Sequence, residues 1–278
     1  MAFKTSKTRY ILHLTGKYII LCFLVVLFVG PFFWLLSIAL RGSGNIYSLR
    51  LIPENPTLEN FTETWKTFRL YRPFANSVIV AAITVLMNIF ICSMAAYPLA
   101  RIQFPGRQLI FFLILSTMMI PFQLFMIPLL LTCRHIGLDN NLLGIILPTS
   151  VGAFGIYLIK QYYQTIPKDL EEAAWIDGAG EFSIWWRIMF PLTKPALATL
   201  AIFIFVGNWS NFLWPLIIID DENLYTLPVA IAKLSGAFVD KTQYLAAGSV
   251  IAITPVIIIF LFMQRYFISG ISLGAVKG

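Results

Sequence analysis

The sequence predicts an all-α integral membrane protein with six transmembrane helices and a cytoplasmic helical segment between the fourth and fifth. Three observations predict it. First, the 278 residues are 59% hydrophobic and 12% charged, whereas soluble domains carry about 25% charged residues. A chain this apolar cannot cover itself with water-facing groups, so its solvent is largely lipid. Second, six charge-free apolar runs of 18 to 25 residues stand out: Tyr18–Leu40, Asn76–Ala100, Gln108–Leu131, Leu142–Ile159, Ala196–Ile219 and Leu245–Gln264. A helix rising ~1.5 Å per residue needs about 20 residues to cross the hydrocarbon. Third, residues 167–195, between the fourth and fifth runs, are polar yet still read as helical. Backbone groups in lipid must be satisfied within their own segment, so the runs are helices. A barrel would instead show alternating segments of ~10 residues.

Taken in order, the first run follows Lys4, Lys7, Arg9 and Lys17. That basic start resembles a signal peptide, but the run is long and no small-x-small cleavage site follows. It reads as a retained helix that also targets the chain. The 41–75 loop is long and carries the turn signals Gly42-Ser43-Gly44, Pro53 and Pro56. The 132–141 loop is short. The 220–244 loop opens on Asp220-Asp221-Glu222, and its apolar middle, Leu227 to Phe238, is suited to re-enter or pack on the bundle. Pro98, Pro121, Pro128, Pro148, Pro215 and Pro255 fall in or at the ends of the runs and predict kinks. The sequons at Asn60 and Asn208 carry little weight, the second lying inside a span.

Charge sets the expected orientation. With both termini cytoplasmic, the inner segments hold 12 of the 20 Lys and Arg residues and 5 of the 13 acids. The outer segments hold 8 bases and 8 acids. The basic bias favours this orientation, modestly, because the 41–75 loop carries five bases outside. The net charge of +7 is dispersed rather than gathered in a nucleic-acid-binding patch.

Enzyme and metal chemistry find little footing. Cys22, Cys92 and Cys133 are far apart and odd in number, and His13 and His135 have no ligand partners at metal-binding spacing. No metal, cofactor or catalytic residue is expected. An intramembrane enzyme would need paired carboxylates or a nucleophile–base constellation at membrane depth, and the spans hold neither. The chain also has no G-x-x-x-x-G-K-[ST] run, so it cannot bind ATP as a P-loop protein does.

The 167–195 segment is the stretch most clearly built for a partner. Thr165 is placed to cap a helix with Pro167 in its first turn. Asp169, Glu171 and Glu172 then lie at the positive end of the helix dipole. Ala173 and Ala174 are small enough to admit another backbone, and Gly178 and Gly180 punctuate the helix. A second helix is expected to carry Phe182, Trp185, Trp186 and Met189 as one apolar stripe. Arg187 and Lys194 are placed to snorkel to headgroups.

Glu172-Ala173-Ala174, Asp177-Gly178-Ala179 and Ile188-x-Phe190-Pro191-Leu192 together resemble the EAA loop of bacterial ATP-binding-cassette importer permeases. The spacing matches, with three residues before Gly178 and nine more before Ile188. Phe190 stands where the family usually has Leu. Pro56-Thr57-Leu58-Glu59-Asn60-Phe61, Asn208-Trp209-x-x-Phe212-Leu213-Trp214-Pro215 and the ending from Gln264 to Gly278 are similar to the carbohydrate-uptake branch, the maltose-type second permease subunit.

The resemblance implies a cytoplasmic coupling helix that docks on an ATPase subunit through Glu172, Ala173, Ala174, Asp177 and Gly178. It implies a second, homologous permease subunit as heterodimer partner, two copies of the ATPase, an extracytoplasmic solute-binding protein facing the 220–244 loop, and a sugar as cargo. It divides the chain into a cytoplasmic tail (1–17), the first helix with its long outer loop (18–71), a permease core (72–267) and a C-terminal tail (268–278).

The spans carry no charged residue, which suits a neutral polar solute. Asn88, Asn208, Trp209, Asn211 and Trp214 are the candidate pathway residues. Pro215 cannot donate to the carbonyl of Asn211, which frees an acceptor at membrane depth. The tryptophans would stack on a sugar face, or else pack within the bundle while the asparagines join helices. The same machinery importing a polyol or glycerol phosphate is the alternative cargo. A channel, the alternative class, would not need the acidic EAA helix.

Overall fold

The structure is a computed structural model that describes residues 2–42, 52–237 and 242–275. The expected turn at Ser43-Gly44 and the segments 238–241 and 276–278 lie outside the described residues. So do the side chains of Lys4, Lys7, Arg9 and Arg265. The chain divides into two compact units: Met1–Arg69 with Lys233–Ile253, and Leu70–Ala232 with Thr254–Gly278.

The described residues are built from helices, with one isolated bridge between Arg41 and Pro56. In order the helices are α1 (Ala2–Ala39), α2 (Glu59–Thr67), α3 (Tyr71–Arg101), α4 (Arg107–Ser116), α5 (Phe122–His135), α6 (Leu142–Thr149) and α7 (Ala153–Tyr163). Then come α8 (Asp169–Ile176), α9 (Glu181–Ile184), α10 (Phe190–Leu192), α11 (Lys194–Trp209), α12 (Leu213–Ile218), α13 (Leu227–Ala237) and α14 (Thr242–Ala275).

Three stretches are straight, long and apolar enough to cross a membrane: His13–Ala39, Tyr71–Arg101 and Thr242–Gln264. Three bent pairs bring the number of spans to six if each pair is one span. The run Gln108–Leu131 is bent at one of its expected kink positions, where α4, with the short turn Thr117–Met119, and α5 meet at 99°. Pro121 is the physical reason. It cannot donate into the preceding turn, and it holds Ile120 in an extended conformation at φ −95°, ψ 119°. The run Leu142–Ile159 bends by 42° between α6 and α7, just after Pro148.

In the third bent pair, Glu181–Leu192 and Lys194–Trp209 meet at 76°, with Pro191 and Pro195 on either side of the break; beyond it, the run Ala196–Ile219 is itself interrupted. Helix α11 stops at Trp209 and α12 starts at Leu213, two residues before Pro215. At the other ends, residues expected as tails are helical: α1 already begins at Ala2 and α14 runs to Ala275. A hydrogen-bond ladder does not need lipid to continue, and no proline interrupts either extension.

In the first unit, Ala39, Ala246 and Ala247 are buried together with Leu35, Ile38, Phe61 and Val250 around them. The expected 41–75 loop contains α2. Asn60 on α2 is buried, and its amide donates to the carbonyls of Ala39 (2.9 Å) and Arg41 (2.7 Å). It thereby satisfies carbonyls at the C-terminal end of α1 that the helix cannot satisfy itself.

In the second unit the main core gathers α3, α7 and α11 beside the 169–192 segment. Cys92, Tyr97, Ile159, Tyr163, Ala174, Ile184, Trp185, Met189 and Leu200 are buried in it. The helices approach closely because α7 has a glycine at the contact. A Cβ on Gly155 would lie 2.7 Å from Cys92 Sγ and 3.2 Å from Leu200 Cδ1.

Candidate partner-docking site

The segment after α7 is positioned by local chemistry at each turn. Thr165 does not cap α8 as its sequence position suggests. Its hydroxyl donates back to the carbonyl of Tyr162 at 2.8 Å and finishes α7 instead. Helix α8 then starts at Asp169, with Asp169, Glu171 and Glu172 in its first turn near the unpaired N–H groups.

It ends at Gly178, whose φ of +78° is the left-handed conformation that glycine adopts without steric cost. The N–H of Ala179 donates to the carbonyl of Ala174 (2.9 Å) and that of Gly178 to Trp175 (3.0 Å). This pair of bonds closes the helix and turns the chain sharply toward α9.

The two faces of α8 differ. Glu171 and Ala174 are buried, whereas Glu172, Ala173, Trp175, Ile176, Asp177 and Gly178 are exposed. Ile176 is 86% exposed and Trp175 47%. Of the five residues the EAA spacing singles out, four therefore lie on the open face, and Ala174 is turned into the core.

The second half departs from the expected stripe. Residues Trp185–Met189 form a π turn, in which Phe190 N–H donates to the carbonyl of Trp185. Pro191 is the neighbouring cause, since its ring cannot fit an undistorted α-helical turn. The extra residue per turn rotates the faces. Ile184, Trp185 and Met189 are buried, while Phe182 and Trp186 are exposed. The single stripe of Phe182, Trp185, Trp186 and Met189 is thus corrected to a split arrangement. Trp186 still stacks on Phe90 and Phe190, at 6.0 and 5.2 Å between ring centres.

The inner face is bonded to α3. Arg101 Nε lies 3.1 Å from Glu171 Oε2, and both side chains are buried. The same guanidinium donates to the carbonyl of Ile166, at the entry to the loop. Tyr97 donates its phenol proton to Glu181 Oε2 at 2.7 Å. Trp185 Nε1 donates to Ser93 Oγ at 3.0 Å, and Ser93 Oγ shares a 2.7 Å hydrogen bond with Tyr163. Burial pushes the Glu171 carboxyl above the ordinary glutamate value, and the nearby Arg101 charge opposes that rise without cancelling it. Ser93, Tyr97 and Arg101 were not among the residues singled out by sequence, and neither were Trp175 and Ile176; Glu171 was read only as an acid at the start of the helix. The spacing of Ser93, Tyr97 and Arg101 on one helix face was the available signal.

The expected pathway residues are only partly brought together. Asn88 is fully buried and donates to the carbonyls of Thr84 (3.0 Å) and Thr149 (2.9 Å). Thr149 in turn donates to Asn208 Oδ1 at 3.2 Å, so Asn88 and Asn208 meet through a threonine. Trp209 is 3% exposed and packs on Phe74 and Phe205. Trp214 is fully buried, and its indole donates to the carbonyl of Gly144 at 3.0 Å. Neither ring offers an open face within this chain. Asn211 is half-buried in the break between α11 and α12. Among the described residues, no three His, Cys, Asp or Glu side chains are grouped to hold a metal ion.

The fold and this loop define a helical membrane protein in which one short helix, α8, has a bonded inner face and an open outer face. Residues 88–273 match the family described as binding-protein-dependent transport system inner membrane components. The chain belongs to that family, and is therefore a membrane transport component rather than an enzyme.

It is 38% identical over 260 residues to the arabinooligosaccharides transport system permease protein AraQ of Bacillus subtilis (strain 168), covering 92% of each chain. It is 36% identical to the melibiose/raffinose/stachyose import permease protein MelC of the same organism, covering 89% of this chain and 91% of that one. Among solved structures it is similar to a chain of a bacterial ABC transporter involved in the import of the acidic polysaccharide alginate. There the TM-score is 0.82 at 25% identity, covering 94% of this chain and 98% of that chain.

Proposed function

We propose that this chain is one of two permease subunits of a bacterial ATP-binding-cassette importer for a sugar or oligosaccharide, and that α8 is its ATPase dock. The observation that carries the reading is the outer face of α8. Glu172 and Asp177 supply charge there, Ala173 and Gly178 allow close approach, and Trp175 and Ile176 offer exposed apolar surface. Such a mixed patch on a short extramembrane helix suits a protein partner. The EAA spacing names the class of that partner, and the missing P-loop explains why the chain needs it.

Charge bias supports a cytoplasmic position for the loop and both termini. In this reading a homologous second permease completes the pathway, two copies of an ATPase bind from the cytoplasm, and a solute-binding protein meets the 220–244 loop. The permease core is residues 72–267. ATP-driven closure of the ATPases shifts the permease pair between inward- and outward-facing states, each state preferred by a different ligand condition.

A sugar cargo is supported by the names of the relatives and by spans free of charge. Asn208 and Asn211, at the break of the fifth span, are the pathway positions this reading keeps. Asn88, Trp209 and Trp214 hold the bundle around that break. The assembled complex, reconstituted in proteoliposomes with its binding protein, tests the cargo. Neutral oligosaccharides are expected to stimulate ATP hydrolysis and enter the lumen. Stimulation by glycerol phosphate alone would favour the polyol-type alternative and overturn the sugar assignment.

A further inference from the structure

The inner face of the loop is registered residue by residue against one stripe of α3. Phe90, Ser93, Tyr97 and Arg101 follow at helical spacing and share a face. Each holds a different station. Phe90 stacks on Trp186 and Phe190, Ser93 accepts from Trp185, Tyr97 donates to Glu181, and Arg101 pairs with Glu171. As the number rises along α3, the partner's number falls, so the loop runs antiparallel to the helix. The four stations cover about 16 Å of α3 at ~1.5 Å per residue.

Three of the four contacts are directional. An apolar seam can slide by a fraction of a turn and lose little. This seam cannot, because each buried donor or acceptor left without a partner costs about 1–3 kcal/mol. Ser93 is also shared with Tyr163 of α7, so the same hydroxyl joins the loop to a second helix of the bundle. Adjacent acids divide the work accordingly: Glu172 is exposed, whereas Glu171 is 2% exposed and spent on Arg101.

We propose that Ser93, Tyr97 and Arg101 are positioning residues that latch the docking loop to α3, so that displacement of α8 moves α3 with it as one body. The inference rests on α8 being the ATPase dock. Without the latch, ATPase closure would be absorbed by flexing between α8 and the bundle, and hydrolysis would proceed without delivering solute.

The test uses the assembled complex in proteoliposomes, reading ATPase association, ATP hydrolysis and sugar taken up per ATP. Tyr97→Phe and Glu171→Gln are expected to keep association and hydrolysis, while uptake per ATP falls about fivefold or more, the lower edge of typical coupling free energies. The double exchange Arg101→Glu with Glu171→Arg should regain part of the uptake that Arg101→Glu alone loses. Unchanged uptake per ATP in Tyr97→Phe and Glu171→Gln overturns the latch. Loss of ATPase association in those variants overturns it too, since the residues would then act through docking.

A second measurement replaces the Tyr97–Glu181 station with a covalent link. In a Cys22→Ser background, with Cys92 and Cys133 buried, Tyr97→Cys and Glu181→Cys are joined by a short bifunctional thiol reagent. The unlinked pair should lose uptake per ATP as Tyr97→Phe does, and linking should restore it, because a latch that moves as one body tolerates the link. Loss of uptake on linking shows that loop and α3 must part during the cycle, which contradicts the proposal. The docking reading fails separately, if Glu172→Lys leaves ATPase association intact.

Discussion

Arg101 at the end of α3 and Glu171 in the first turn of α8 form a buried ion pair, with Nε and Oε2 3.1 Å apart. Glu171 Oε1 has no hydrogen-bond partner, and Arg101 is the largest of the influences that favour its charge, followed by the Tyr97 phenol and Lys168. Removing either partner alone strands a charge and is expected to cost about 3–5 kcal/mol. Replacing both by leucine should recover most of that loss. Thermal unfolding of the four proteins in one detergent checks this, and additive losses in the double variant would contradict it.

The same site gives the stability a pH dependence of definite sign. Burial, the largest influence, raises the Glu171 carboxyl above its ordinary value, opposed by Arg101, by the Tyr97 phenol and by Lys168, and reinforced by Glu181. The folded state therefore binds a proton more readily than the unfolded chain does. The stabilising contribution of this group is full below the ordinary glutamate value and is lost as pH rises through the raised one. Glu171→Gln should flatten the stability profile across that window. A profile equally steep in the variant would assign the dependence to another group.

Much of the fold was legible because lipid leaves the backbone few options. Charge-free runs had to be helices, and the order of elements follows from them. What the runs could not show was where they bend. Prolines stand at all three bends (Pro121, Pro148, and Pro191 with Pro195), but Pro98 and Pro255 lie inside continuous helices, so proline alone does not identify a bend. The loop's place in the chain and its acidic outer face were also legible. Which of two adjacent acids faces outward was not. Glu171 and Glu172 point about 100° apart on a helix, and only Arg101, seventy positions earlier, decides which is buried.

The close approach of α3 and α7 depends on Gly155. Gly155→Ala places a methyl group against Cys92 and Leu200, and overpacking of this kind costs about 1–3 kcal/mol. Unfolding midpoints should fall, and pairing the change with Cys92→Ala should restore much of the loss. No recovery in the pair would contradict the packing argument.

Of the two roles open to the tryptophans, the geometry of Trp214 matches packing within the bundle. Stacking on a sugar requires an open ring face, and Trp214 is fully buried with its indole proton given to Gly144. Trp214→Phe is expected to lower stability by about 1–3 kcal/mol through the unpaired carbonyl and lost volume. The apparent KM for sugar uptake in the surviving complex should be unchanged. A several-fold rise in KM at unaltered stability would return this ring to the pathway.

If the ATPase binds the outer face of α8, the Glu172→Lys exchange should show it in co-purification of the ATPase subunit. Glu172 is exposed and outside the α3 seam, so the variant should insert and unfold like the unaltered chain. The account predicts that the ATPase is lost from the purified complex. ATPase retained at the unaltered level, with ATP-dependent uptake intact, would contradict it.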